Sequence, residues 1–153
     1  MEKKNMTQED KQLLLKDLCA RLPYGVKIHV DYTFKSPYNV HLETDCGLVE
    51  FNVEKGEYLA LTDRDNHSAR KRFTLENIKP YLRPMSSMTE EEENEFISLN
   101  AVPSPCQLPN HTRMSWYSNA TMLDWLNAHH FDYRGLIEKG LALEAPEGMY
   151  KTE

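Results

Sequence analysis

Over 26–32, 38–42 and 49–53 the apolar residues fall on every second position, and this period of two limits the possible folds more than any other feature of the chain. Val26, Ile28, Val30 and Tyr32 alternate with Lys27, His29 and Asp31, as in a strand with one face in a core and the other in water. A turn over 34–37 leads to a second strand, in which Tyr38, Val40 and Leu42 alternate with Asn39, His41 and Glu43. Asp45, Cys46 and Gly47 supply another turn, after which Val49, Phe51 and Val53 point one way and Glu50 and Asn52 the other. Lys55, Gly56 and Glu57 turn the chain into a strand over 58–62, and a short strand over 72–75 follows. Short antiparallel strands joined by tight turns predict a small curled sheet or barrel of SH3-like or related type.

Helical signals flank the sheet. Thr7 precedes Gln8, Glu9 and Asp10, a hydroxyl cap with acids in the first turn, where the helix dipole favours them. Leu14, Leu15, Leu18 and Leu22 recur at helical spacing, Lys11, Lys16 and Asp17 fall elsewhere, and Pro23 and Gly25 end the run. An amphipathic helix is therefore expected over 8–22. Pro80 and Pro84 mark an exit from the sheet, and Thr89-x-x-Glu92 has capping-box spacing ahead of a short helix to Leu99. Residues 100–115, with Pro103, Pro105 and Pro109, read as a loop. Ser118 can cap a third helix with Met122, Trp125, Leu126 and His129 on one face. Asp132 can cap a fourth, ended by Gly140, and the tail over 141–150 is expected along the surface. The expected class is α+β: a helix and small antiparallel sheet over 1–85, and a helical region over 86–153 packed on it as one unit.

At 153 residues the chain can bury about 70% of the surface its unfolded form exposes, so it folds without a disulfide or metal staple. A net charge of −6 argues against a generic nucleic-acid coat or a membrane-surface binder. No apolar run approaches a membrane span, and no basic start followed by an apolar stretch marks a secretory signal, so a cytoplasmic location is expected. Cys19, Cys46 and Cys106 are odd in number and form no CxxC, which suits free thiols in a reducing compartment.

Three blocks carry a resemblance: LLLKDLCARLPYGVK at 13–27, KPYLRPMSSMTEEE at 79–92, and WLNAHHFDYRGLIEKGLALEAPEGMY at 125–150. Together, about 55 of the 153 residues, they resemble recurrent blocks of short uncharacterised proteins from gut Bacteroides-type bacteria and their prophages or mobile elements. The resemblance implies a bacterial cytoplasmic or phage-associated protein. It implies no activity, cofactor or catalytic residue.

Candidate chemistry is sparse. His129, His130 and Asp132, with Asp124 nearby, could in principle hold a metal or supply a general base. Adjacent helical residues point about 100° apart, however, and two histidines at a helix end suit the negative pole of its dipole. His29 and His41 sit on the polar phase of their strands and read as exposed cross-strand partners rather than ligands. Neither a GxSxG elbow nor a phosphate-binding glycine loop is present, so no catalytic residue, cofactor or metal is expected. One stretch departs from the acidic balance. Over 64–83, Arg64, Arg70, Lys71, Arg72, Lys79 and Arg83 stand against Asp65 and Glu76, with Phe73 and Tyr81 among them. This could touch a phosphate backbone, or be a charged β-turn balanced by the acidic helix start at Glu90. A helix-turn-helix over 118–139 would bring only Arg134 and Lys139 to a groove. Trp116, Tyr117, Trp125, Phe131 and Tyr133 concentrate aromatics near the C-terminus; most would anchor helices, and any left exposed would form a protein-binding hot spot. The expected function is a non-enzymatic module binding an unknown protein partner or itself, with weak nucleic-acid binding through 64–83 as the alternative, a metal-dependent enzyme as the more remote one, and no membrane association.

Overall fold

A computed structural model describes the backbone of residues 6–34, 40–54, 57–62, 72–100 and 111–150, with the side chains of 34, 40, 54, 61, 72, 100 and 111–119 left out. Helix α1, Gln8–Arg21, begins as its sequence predicts. The Asp10 amide donates to Thr7 Oγ1 at 3.1 Å and the Thr7 amide to Asp10 Oδ2 at 3.4 Å, a reciprocal capping box. A 3₁₀ turn, Leu22–Tyr24, follows and ends at Gly25, whose φ of 71° is left-handed.

Strands β1, Lys27–Phe34, and β2, Val40–Glu54, pair antiparallel from Phe34↔Val40 to Lys27↔Gly47. The two strands expected over 38–53 are in fact this one strand, and Asp45-Cys46-Gly47 makes no reversal. The reason lies in the partners. Up to Gly47 the strand pairs with β1; from Leu48 it pairs with β3, Glu57–Thr62. Cys46 keeps the core phase, opposite Ile28, so the alternation runs straight through the apparent turn. A bulge between Leu48 and Glu50 then shifts the phase, which leaves Val49 exposed and returns Phe51 to the core side.

Strand β4, Arg72–Thr74, pairs with β3, and a 3₁₀ turn, Leu75–Asn77, leads to β5, Ile78–Leu82, which pairs with β1. The order is β4-β3-β2-β1-β5-β6. In a flat sheet, β4 and β5 would stand about 19 Å apart, four strand spacings. Thr74 and Ile78 are separated by only four Cα steps, a reach of at most about 14 Å. The sheet must therefore curl, and the shared strand β2 with its bulge is where it bends. It remains open, because β4 and β5 lie apart in the strand order, each bonded to another neighbour.

Pro80 does not mark the exit from the sheet. It lies inside β5, buried and opposite Ile28. The tail does not lie on the surface either. Leu141 and Ala142 are buried, and β6, Leu143–Glu144, adds to β5 in parallel, with the Ala145 amide donating to Leu82 O at 2.7 Å. The sheet is therefore antiparallel except at this last strand.

Helix α2, Glu90–Asn100, has the expected capping box: the Glu92 amide donates to Thr89 Oγ1 at 3.2 Å and the Thr89 amide to Glu92 Oε1 at 3.1 Å. Helix α3, His111–Ala128, starts seven residues before Ser118, so 111–115 are helical and the rest of the expected loop, 101–110, lies outside the described residues. Pro103, Pro105 and Pro109 all precede His111, and nothing from there to Ala128 interrupts a helix. At its end the His130 amide bonds Asn127 O and the Phe131 amide bonds Leu126 O, the Schellman pair, with His130 at φ 61° where glycine is usual. The fourth helix does not form. Asp132 is not a helix cap: its carboxylate accepts from the Leu136 and Ile137 amides, four and five residues on, at 2.9 Å each, and so closes a turn, while Gly135 and Gly140 both hold positive φ and leave room only for turns.

The main core joins Leu14 and Leu18 of α1 to Ile28, Val30, Leu48 and Ile78 of the sheet and to Leu136 and Leu141. A second, smaller core gathers Trp125, Leu126 and Phe131 with Met88, Phe96, Leu99 and Tyr133.

Candidate functional site

Asp17 and Arg21 are fully buried one helical turn apart, and Asp17, expected to fall elsewhere, shares the buried i, i+3, i+4, i+7 face with Leu14, Leu18 and Arg21. Arg21 donates from Nε and Nη2 to the two Asp17 oxygens at 2.8 and 3.0 Å, and from Nη2 to Phe131 O at 2.6 Å. Arg134 Nε approaches Asp17 Oδ1 at 3.5 Å, and both guanidinium groups lie about 5 Å from the Tyr133 ring centre, Arg21 at 5.3 Å and Arg134 at 5.1 Å. This is a fastening between α1 and the C-terminal segment. Beside it, His130 stacks on Tyr150 with ring centres 3.7 Å apart, and burial, with the charges of Arg21, His129 and Arg83, pushes its imidazole down to about 4. Tyr150 in turn accepts from the Lys27 amide at 2.9 Å and donates to Tyr81 O at 2.8 Å, while burial pushes its phenol up to about 12.

Of the aromatics singled out by sequence, Trp125 and Phe131 are buried anchors, stacked with ring centres 5.7 Å apart, and Tyr133 is half-buried with its hydroxyl donating to Asn127 Oδ1 at 2.8 Å. The side chains of Trp116 and Tyr117 lie outside the described residues. His129 stacks on Trp125 at 3.9 Å. His129 and His130 thus take part in two separate aromatic stacks, and the Asp132 carboxylate is engaged by the Leu136 and Ile137 amides. Among the described residues, no group of three or more His, Cys, Asp or Glu side chains is placed to hold a metal ion.

The basic stretch divides. Arg64, Arg70 and Lys71 lie outside the described residues, and so does the side chain of Arg72. Arg83 forms a two-point bond to Glu92, at 2.8 and 2.7 Å, with its guanidinium 4.2 Å from the Phe131 ring centre. Arg83 holds the Glu92 carboxyl down at about 2, against partial burial. Lys79 is exposed, opposite His29 on the neighbouring strand.

Two surfaces were not singled out by sequence. The first is the outer face of β1, β2 and β5, where His29 and His41 stand among Asp31, Glu43, Asp45 and Tyr81. Sequence reading placed both histidines on the polar phase, and the register sets them opposite Asp45 and Thr33 rather than each other. The second is a cleft of about 230 Å³ between α1 and β3, with Leu15 and Leu75 in its lining and Gln12, Tyr58, Glu57 and Glu76 around them. Val53 stands directly opposite Tyr58 at this margin, and both are open to solvent, at 63% and 43%. The exposure of Val53 could not be foreseen, since its period-two phase is that of a core residue. The sheet simply extends past the helix that covers it.

No protein-family model, no curated protein and no solved structure matches this chain.

Proposed function

We propose that this chain is a non-enzymatic protein-interaction module of phage or mobile-element type, working in the cytoplasm and docking its partner in the cleft between α1 and β3. The observation that carries the reading is the Val53–Tyr58 pair, two large side chains left in water on the core side of the sheet beside a cleft with Leu15 and Leu75 in its lining. The occupant is a partner polypeptide that presents an apolar side chain beside cationic ones. Exposed Glu57 and Glu76 border the cleft together with Lys11, which among the described residues pairs with Glu76 at 2.6 Å, and the chain carries a net charge of −6. The short 3₁₀ link between β4 and β5 and the bent β2 support reading β1 to β5 as an SH3-like roll with α1 across it. The free thiol at Cys19 supports a reducing compartment, and among the described residues no helix is long and apolar enough to cross a membrane. The alternative, a nucleic-acid contact over 64–83, has less support, because Arg83 is bonded to Glu92 and Lys79 stands beside an acidic face.

The test is a nuclease-treated pull-down from the native host, comparing the wild type with Val53→Asp/Tyr58→Asp and with Ile97→Asp on α2 as control. The reading expects one protein retained by the wild type and the control and lost from the cleft variant. Identical captures from all three would contradict it.

A further inference from the structure

Both ring nitrogens of His29 face carboxylates. Nδ1 lies 2.7 Å from Asp45 Oδ1 and Nε2 lies 2.9 Å from Glu43 Oε1. A neutral imidazole carries one N–H, so it can satisfy one of these oxygens while turning a lone pair on the other; only the imidazolium donates to both. The surroundings sharpen that demand. Cross-strand register sets Asp31 directly opposite Glu43, a like-charge pair that opposes strand pairing. His41 lies on the same face, with Nε2 3.4 Å from Asp31 Oδ1 and 3.8 Å from Glu43 Oε2, and Nδ1 3.2 Å from Thr33 Oγ1. From β5, the Tyr81 hydroxyl donates to Asp45 Oδ1 at 2.7 Å and lies 3.4 Å from His29 Nδ1, while Lys79 is the register partner of His29. Lys27 is the next residue along this phase of β1.

We propose that this face is a proton-operated clamp, in which imidazolium His29 ties β1 to two carboxylates of β2 and, through Asp45, to Tyr81 of β5. Losing the proton turns one of the two hydrogen bonds into a lone-pair contact, so the β1–β2–β5 face loosens and becomes more anionic at the same time. Partial burial pushes the His29 imidazole down, but the hydrogen bonds and charges of Asp45 and Glu43 outweigh it and leave the group above its ordinary 6.5. A group raised in the folded state contributes its full stability below its unfolded value and loses it as pH rises through the folded one. Tyr81 stays protonated throughout, since burial and the Asp45 carboxylate push its phenol up to about 12.

The test follows the His29 ring nitrogens by ¹⁵N NMR, together with the urea midpoint, over about pH 5 to pH 8. The full chain is used as wild type, His29→Gln and Asp45→Asn. The clamp predicts that His29 titrates above 6.5. It also predicts a urea midpoint that falls as pH rises through that titration, a flattened slope in His29→Gln, and a downward shift of the His29 titration in Asp45→Asn. His29 titrating at or below 6.5, or an unchanged slope in His29→Gln, would overturn it. Should His29→Gln not fold, the Asp45→Asn variant decides alone: an unchanged His29 titration refutes the clamp.

Discussion

Arg21 reaches from the last turn of α1 to the carbonyl of Phe131, which lies 110 positions away in sequence. Its charge and that of Asp17 are tolerable in the interior because each answers the other and Phe131 O takes the remaining Nη2 donor. Removing one partner should therefore cost far more than an exposed pair would. Arg21→Met leaves Asp17 buried with only Arg134 beside it, and is expected to lower the unfolding free energy by about 3–5 kcal/mol in urea titration, with Asp17→Leu/Arg21→Met regaining part of the loss. A loss below about 1 kcal/mol would mean that the buried pair is not what fastens the C-terminal segment. Sequence reading set Asp17 apart from the leucines, yet Leu14, Asp17, Leu18 and Arg21 stand at i, i+3, i+4 and i+7 on one helical face, so the pair was legible in the spacing; only the reach to position 131 was not. His130 is a second such residue. Its imidazole is pushed down to about 4 in the folded state, so the stability it contributes is complete above the unfolded 6.5 and is lost as pH falls through the folded value. Between those limits the wild type should lose on the order of 3 kcal/mol. His130→Asn tolerates the left-handed backbone and should flatten that loss; if the acid limb is identical in the variant, His130 does not produce it.

Local capping chemistry survived translation into structure better than strand boundaries did. Thr7 with Asp10 and Thr89 with Glu92 both cap as their spacings predict, since each needs only atoms within a few residues. Thr89→Ala is accordingly expected to cost about 1 kcal/mol, read as a lower urea midpoint with unchanged slope. A neutral result would show that the Arg83–Glu92 bond alone holds the start of α2. Strand β2 shows the opposite case. Turn-forming residues at 45–47 suggested a reversal, yet Asp45 is held on the outer face by His29 and Tyr81 while Cys46 is buried opposite Ile28. Which partner a strand leaves and which it joins is set by tertiary pairing, and β2 changes partner within one residue, from Gly47 to Leu48. The expected fourth helix failed for a local reason that was legible in part: Gly140 was read as its stop, but Gly135 also holds a positive φ and breaks the run at its start.

At the scale of the whole molecule, the α+β class and the N-terminal helix followed from periodicity, whereas the curl of the sheet, the parallel β6 and the open cleft depend on contacts between distant segments. Two histidines with opposite responses bracket the stable range: His130 weakens the fold as pH falls and His29 weakens it as pH rises. The cleft beside Val53 and Tyr58 is the surface on which the proposed interaction rests. It is tested most directly by placing a photo-crosslinking phenylalanine at position 58, and separately at position 97 on α2, and irradiating the protein in its native host. The account predicts a discrete protein adduct from position 58 that is absent from position 97 and is lost when Val53 is changed to Asp. Equal labelling from both positions, or an adduct from 58 that survives Val53→Asp, would contradict it.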